Sequence, residues 1–141
     1  MSESPRRRAR ELVLQALYAS DINDAPAEDL FLKLLDEEEL SPKNLRFAQA
    51  FFDLVRSKQQ WADSQISLLA HNWNIERIAE IDLIILRMAL TEIQEMPDTP
   101  VKVALNEAIE LAKKFSTAES SSFINGILDS YVKGQELSGK S

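Results

Sequence analysis

The sequence predicts an all-α protein, and three observations carry that prediction. Gly and Pro are scarce, three and five in 141 residues, while Ala, Leu, Glu and Lys are abundant. Apolar residues recur at i, i+3, i+4 spacing along most of the chain, the period of amphipathic helices. The stretch Ile81 to Ile93 is apolar almost all the way round, with one stripe at 81, 84, 85, 88 and 89 and a second at 83, 86, 90 and 93. A helix with two such stripes must be surrounded, so it is expected at the centre of a bundle. Asp82, Arg87 and Glu92 punctuate the run, which is too short to span a membrane. A buried strand over Leu83 to Leu86 is the competing reading; the surrounding length and the Leu, Met, Ala and Glu content favour helix.

Ser4-Pro5 reads as an N-cap followed by Pro at the first helical position. Ala9, Leu12, Val13, Ala16 and Leu17 then form a stripe, so a first helix is expected to about Ala19. At about 100° per residue, Arg6 and Arg10 border that stripe, and Arg7, Leu14 and Tyr18 share an outward side. An exposed face with cationic, aliphatic and aromatic groups has the outline of a binding surface; the alternative is that another helix covers Leu14 and Tyr18. Asp21 to Ala25 reads as a turn. Pro26 opens a second helix with Leu30, Phe31, Leu34 and Leu35 as its apolar positions. The run Asp36 to Glu39 reads as a solvated acidic loop that repels nucleic acid.

Ser41-Pro42 repeats the cap-then-Pro signal and starts a long third helix. Its stripe is Leu45, Ala48, Phe51, Phe52, Val55, Ala62, Ile66, Leu69 and then Trp73, and Lys43, Arg46, Arg56 and Lys58 make a second basic area. His71 is the only histidine and reads as a helix-end residue. Asn74 can cap a short turn, Ile75 to Ile78, that leads into the central helix near Glu80. Buried Arg87 requires a carboxylate partner, with Glu107 and Asp129 as candidates. Met96 to Thr99 is a turn and Pro100 starts the next helix, Val101 to Phe115, with Val101, Ala104, Leu105, Ala108, Leu111, Ala112 and Phe115 inward. Ser116 and Glu119 have capping-box spacing for a last helix, striped by Phe123, Ile124, Ile127, Leu128 and Tyr131. Gly126 inside it costs about 1 kcal/mol against Ala, and close approach of another helix is the expected compensation. After Val132 the composition turns polar, and residues 134–141 are expected to fray.

The length suits a single domain with a core of its own. Cys is absent, which excludes disulfides and thiolate metal sites and suits a reducing compartment. No secretory signal is recognisable at the N-terminus, and a cytoplasmic location is expected. The net charge of −7 hides a sorting by region. Residues 1–20 carry +2, residues 21–40 carry −7, and the other residues carry −2. An acidic average therefore does not argue against nucleic acid. Arg6, Arg7, Arg8 and Arg10 are four arginines within five positions. Arg offers forked donors suited to phosphate and a plane that stacks on bases; the alternative is that the cluster only solvates a terminus. No glycine loop for phosphate, helical His pair or Cys nucleophile is present. Neither a cofactor nor a metal is expected, and the chain does not read as an enzyme.

Three segments, Arg6-Arg-Arg-Ala-Arg-Glu-Leu-Val-Leu-Gln-Ala-Leu-Tyr18, Ile85-Leu-Arg-Met-Ala-Leu-Thr-Glu92, and Val103-Ala-Leu-Asn-Glu-Ala-Ile-Glu-Leu-Ala-Lys113 followed by Phe123-Ile-Asn-Gly-Ile-Leu-Asp129, together resemble the bacterial transcription antitermination protein NusB family. Their order and spacing are similar too, and the resemblance spans nearly the whole chain. It implies two three-helix subdomains packed across each other, over about 4–73 and 75–133, within one domain. It implies binding of single-stranded boxA RNA of nascent ribosomal transcripts jointly with ribosomal protein NusE, in an assembly on RNA polymerase. By position, it gives RNA contact to Arg6, Arg7, Arg8 and Arg10, with Glu119 and Phe123 nearby. It gives NusE contact to Tyr18, Glu76 and Asp82, in agreement with the outward side that includes Leu14.

Three positions depart from the family pattern: Ser116 stands for a glycine, Ser122 for a lysine and Thr91 for an aromatic. Set against the resemblance, the missing lysine implies a weaker phosphate contact at that edge and RNA affinity that depends more on the partner. Domains similar to this also occur fused to RNA methyltransferases, a reading that would leave this chain inactive alone. A purely protein-binding helical module, its basic terminus meeting an acidic partner, is the rival reading. Homodimerisation through the same surface is also open, because exposed apolar patches often self-associate. The adaptor reading requires the helix-1 guanidinium groups to face solvent, away from the acidic loop.

Overall fold

The computed structural model of the chain describes residues 5–70 and 74–137. Ser4, His71, Trp73 and the last four residues of the expected tail lie outside the described residues. Seven α-helices occur among the described residues: α1 Pro5–Asn23, α2 Ala27–Asp36, α3 Pro42–Ser57, α4 Gln59–Leu69, α5 Glu80–Glu95, α6 Val101–Phe115 and α7 Ala118–Leu137. A 3₁₀ turn, Ile75–Arg77, precedes α5, and no strand occurs among the described residues. The chain divides into two compact units, one ending at Arg56 and the next beginning at Ser57.

That division coincides with a correction to the expected third helix, which is two helices and not one. Lys58, at φ −101° and ψ 9°, separates α3 from α4. Val55 and Ala62 are seven positions apart, so the apolar stripe stays in phase across the break and conceals it.

In the first unit, α1 and α2 pack together with Ala9, Leu12, Val13 and Ala16 fully buried. Phe31 of α2 stacks on Phe52 of α3 with ring centroids 4.1 Å apart, and Phe47 lies 5.6 Å from Phe51. Helix α1 continues to Asn23, past the expected stop at Ala19. Its end is set by Asp24, whose φ of 51° is left-handed. The Ala25 N–H then donates to the Ser20 carbonyl at 3.3 Å, the six-to-one bond of a Schellman end. The Ser20 hydroxyl also donates to the Ala25 carbonyl. At α3 the cap is the expected one: Ser41 Oγ accepts from the Asn44 N–H at 3.2 Å.

In the second unit, α5 is the surrounded helix that its two stripes require. Every residue from Asp82 to Leu86 and from Met88 to Glu92 is buried. Arg87, between them, donates through Nε and Nη2 to Asp63 of α4 at 2.7 and 3.1 Å. The expected partners, Glu107 and Asp129, are not the ones used; Asp129 pairs with Lys133 one turn on. Asn74 caps the 3₁₀ turn as expected, accepting from the Glu76 N–H at 3.0 Å. Tyr131 is buried, donates to Gln94 Oε1 at 2.7 Å and meets the edge of Trp61. Burial, and then the Glu95 carboxylate, push its hydroxyl above the ordinary tyrosine value.

Three further expectations are corrected in this unit. Val101 is exposed instead of inward. Nothing approaches within 4 Å of a Cβ built on Gly126, so no helix packs close there. Helix α7 continues to Leu137, about one turn beyond the expected fraying point.

Candidate nucleic-acid interface

The first turns of α1 hold the four arginines, and the structure gives them different surroundings. Arg6 is half-buried, with its guanidinium 4.6 Å from the centre of the Phe47 ring. Arg10 lies over the same ring at 5.1 Å and is only 3 % exposed. Arg7 is half-buried and engaged within the protein. Arg8 donates from Nη1 to Glu11 Oε1 at 2.9 Å, from Nε to Glu38 Oε1 at 3.0 Å and from Nη2 to Glu38 Oε2 at 2.7 Å. Arg8 therefore faces the acidic run and Arg10 is withdrawn from solvent, contrary to the open cluster the sequence suggests. The physical reason is local charge balance: Glu38, just past the α2 C-terminus, lies within reach of α1, and an ion pair there relieves both charges. The Glu38 hydrogen bond, ahead of the lesser pull of Glu11, raises the Arg8 guanidinium further above its ordinary value. Arg8 in turn holds the Glu38 carboxyl below its own.

Further along α1, Leu14 is fully buried, so it does not belong to an outward face. The reason is the width of the apolar arc on α1: Ala9, Leu12, Val13, Leu14 and Ala16 are all at 0 %, more than one stripe. Tyr18 is exposed at 38 % and Ile22, one turn on, at 59 %. These two are the apolar groups that α1 presents to solvent.

In the second unit the structure brings together three of the other expected site residues. Asp82 at the start of α5, and Glu119 and Phe123 in the first turns of α7, line one pocket of about 240 Å³ with Arg77, Thr117 and Ser120. Asp82 is buried at 5 %. Its two oxygens accept the hydroxyls of Ser116 and Ser120, each at 2.7 Å. A buried carboxylate needs such donors, and these two fasten the start of α7 to α5. The cap of α7 is Thr117, whose Oγ1 accepts from the Ser120 N–H at 3.0 Å; the expected Ser116 cap is corrected, because Ser116 is turned to Asp82. Glu76 is exposed and lines a second hollow of about 330 Å³ with Asp63, Glu80 and Arg87.

Sequence reasoning missed Glu38, Phe47, Ser116 and Ser120 as parts of these sites. Phe47 was detectable as an apolar residue next to the α3 stripe; the serine–aspartate contacts span 34 and 38 positions and leave no local signal. Among the described residues no group of three His, Asp or Glu is placed to hold a metal ion, and no helix is long and apolar enough to cross a membrane.

The NusB family model matches residues 7–133, which takes in both units. The chain belongs to the NusB family. A curated relative, the transcription antitermination protein NusB of Dehalococcoides mccartyi strain CBDB1, is 43 % identical over 128 residues, 91 % of this chain and 90 % of the relative. The crystal structure of T. maritima NusB is similar at 32 % identity with a TM-score of 0.85, covering 94 % of this chain and 93 % of that one. A structure of antitermination factors NusB and NusE in complex with dsRNA shares the fold, with a TM-score of 0.82 at 21 % identity, over 92 % of this chain and 97 % of that one. The all-α NusB fold is thus the fold of this chain.

Proposed function

We propose that this protein is a transcription antitermination factor, a non-catalytic adaptor that binds boxA RNA together with ribosomal protein NusE and joins an RNA polymerase assembly in the cytoplasm. The observation that carries this reading is membership of the NusB family over residues 7–133, and not the basic cluster, because Arg8 and Arg10 do not meet the requirement that the helix-1 guanidinium groups face solvent away from the acidic loop. On this reading Arg6, Arg7 and Arg8 meet phosphates at the front of α1, while buried Arg10 holds the helix over Phe47. Glu119 and Phe123 at the start of α7 meet bases, for which an aromatic ring is a stacking platform. Tyr18 and Glu76, exposed, contact NusE; Asp82 contributes by fixing the α7 start through Ser116 and Ser120.

Phosphate contacts give affinity that falls with salt, and base contacts give preference among sequences. Two ligands on one adaptor couple reciprocally. The test is titration of boxA RNA and a scrambled strand, with and without NusE, at two salt concentrations. Tighter boxA binding in the presence of NusE is expected. Equal binding of both strands in every condition would overturn the proposal.

A further inference from the structure

Arg8 is bonded in this structure as a phosphate would bond it. Its Nε and Nη2 donate side by side to the two oxygens of one carboxylate, at 3.0 and 2.7 Å. This parallel fork is the geometry guanidinium uses for phosphate as well as carboxylate. The third donor, Nη1, is anchored on Glu11, whose side chain is only 2 % exposed. The anchor fixes the guanidinium plane and leaves the fork edge as its working edge. The pair is partly open to solvent: the Arg8 side chain is 35 % exposed and its Glu38 partner 24 %. Glu38 comes from 30 positions away, beyond the end of α2, and its neighbours Asp36, Glu37 and Glu39 add like charge.

Resting on the RNA-binding reading above, we propose that the Nε/Nη2 edge of Arg8 is a phosphate fork for single-stranded RNA and that Glu38 is its internal competitor. A phosphodiester carries one negative charge, as the carboxylate does, so it exchanges for Glu38 without leaving the guanidinium unpaired. The exchange requires Glu38 to be displaced, and the apparent affinity is reduced by the fraction of time the fork is occupied. The displaced carboxylate then stands beside the RNA backbone and repels it. This cost falls equally on every strand that uses the fork, so Glu38 lowers the affinity for RNA by a common factor and leaves discrimination between strands to the base contacts.

The test is anisotropy titration of single-stranded boxA RNA against the full chain and four variants: Glu38→Gln, Glu39→Gln, Arg8→Ala and the Glu38→Gln/Arg8→Ala pair. Glu39→Gln makes the same change in net charge at an exposed neighbour and controls for bulk electrostatics. Glu38→Gln should tighten binding about fivefold, the size of a partly exposed ion pair removed from the competition, and clearly more than Glu39→Gln. That advantage should vanish in the Arg8→Ala background. Equal effects of the two glutamine variants would overturn the competitor, while Arg8→Ala still losing affinity would leave the RNA reading standing. Arg8→Ala without loss would overturn the fork, and no RNA binding by the unaltered chain would overturn both. A readout independent of the folding of any variant is the Arg8 Nε–H NMR signal of the unaltered chain. A shift on adding RNA is expected, and an unmoved signal in an RNA-saturated sample would overturn the fork.

Discussion

Asp63 of α4 grips Arg87 of α5 through both carboxylate oxygens, at 2.7 and 3.1 Å, with the Arg87 side chain only 12 % exposed. Without Asp63 the central helix would carry a largely buried cation without its bidentate partner, at the hollow that Glu76 and Glu80 also line. Removing one partner from such a pair costs more than removing both. Asp63→Ala is expected to destabilise by about 3 kcal/mol in urea denaturation. Asp63→Ala combined with Arg87→Met should recover much of that loss, a non-additivity that a double-mutant cycle measures. Equal or greater loss in the double variant would show that the pair is not the source of the cost.

Gly126 sits in α7, exposed, with nothing within 4 Å of the position a Cβ would take. Its backbone carries no compensation, so the helix bears the full entropic cost of glycine. Gly126→Ala is expected to stabilise by about 1 kcal/mol. Thermal unfolding followed by circular dichroism reads this as a rise of roughly 3 °C in Tm, and a fall would point to a neighbour that the packing does not contain.

Thr91 is fully buried in α5, and its hydroxyl is the one buried side-chain oxygen without a hydrogen-bond partner among the described residues. An unpaired buried hydroxyl costs about 1–3 kcal/mol relative to an apolar group of the same shape. Thr91→Val keeps the β-branched shape and deletes that hydroxyl. A gain of about 1 kcal/mol in chemical denaturation is expected, and a loss would mean that the hydroxyl is paired in solution.

Local signals made most of the fold legible. The cap at Ser41, the Pro26 and Pro100 starts, the Asn74 turn and the two stripes of α5 each act within one or two helical turns, so a single sequence displays them. What was not legible acts across the chain. Asp63 and Arg87 are 24 positions apart, Asp82 and Ser120 are 38 apart, and Arg8 and Glu38 are 30 apart. Carboxylates are plentiful, and helical period alone does not choose among them. The same limit applied to α1, where Leu14 lies off the main stripe yet is buried, because the apolar arc is wider than one stripe. For the candidate site, the outward placement of Tyr18 was readable, while the accessibility of the arginines was not.

The ion pair of Arg8 and Glu38 carries a pH dependence whose sign is fixed by the direction of the carboxyl shift. Arg8 holds the Glu38 carboxyl below its ordinary value of 4.5. A depressed folded value means that the unfolded chain takes up the proton first as pH falls. The stabilisation is therefore complete above pH 4.5 and is lost progressively as pH drops through the folded value. Both side chains are partly exposed, so the contribution is small, about 0.5 kcal/mol after screening. Comparing urea midpoints of the unaltered chain and Glu38→Gln between about pH 6 and pH 3 isolates it. The unaltered chain should be the more stable at the upper end, and the difference should narrow as the pH falls below 4.5. A constant difference across the range would mean that Glu38 contributes through packing and not through its charge.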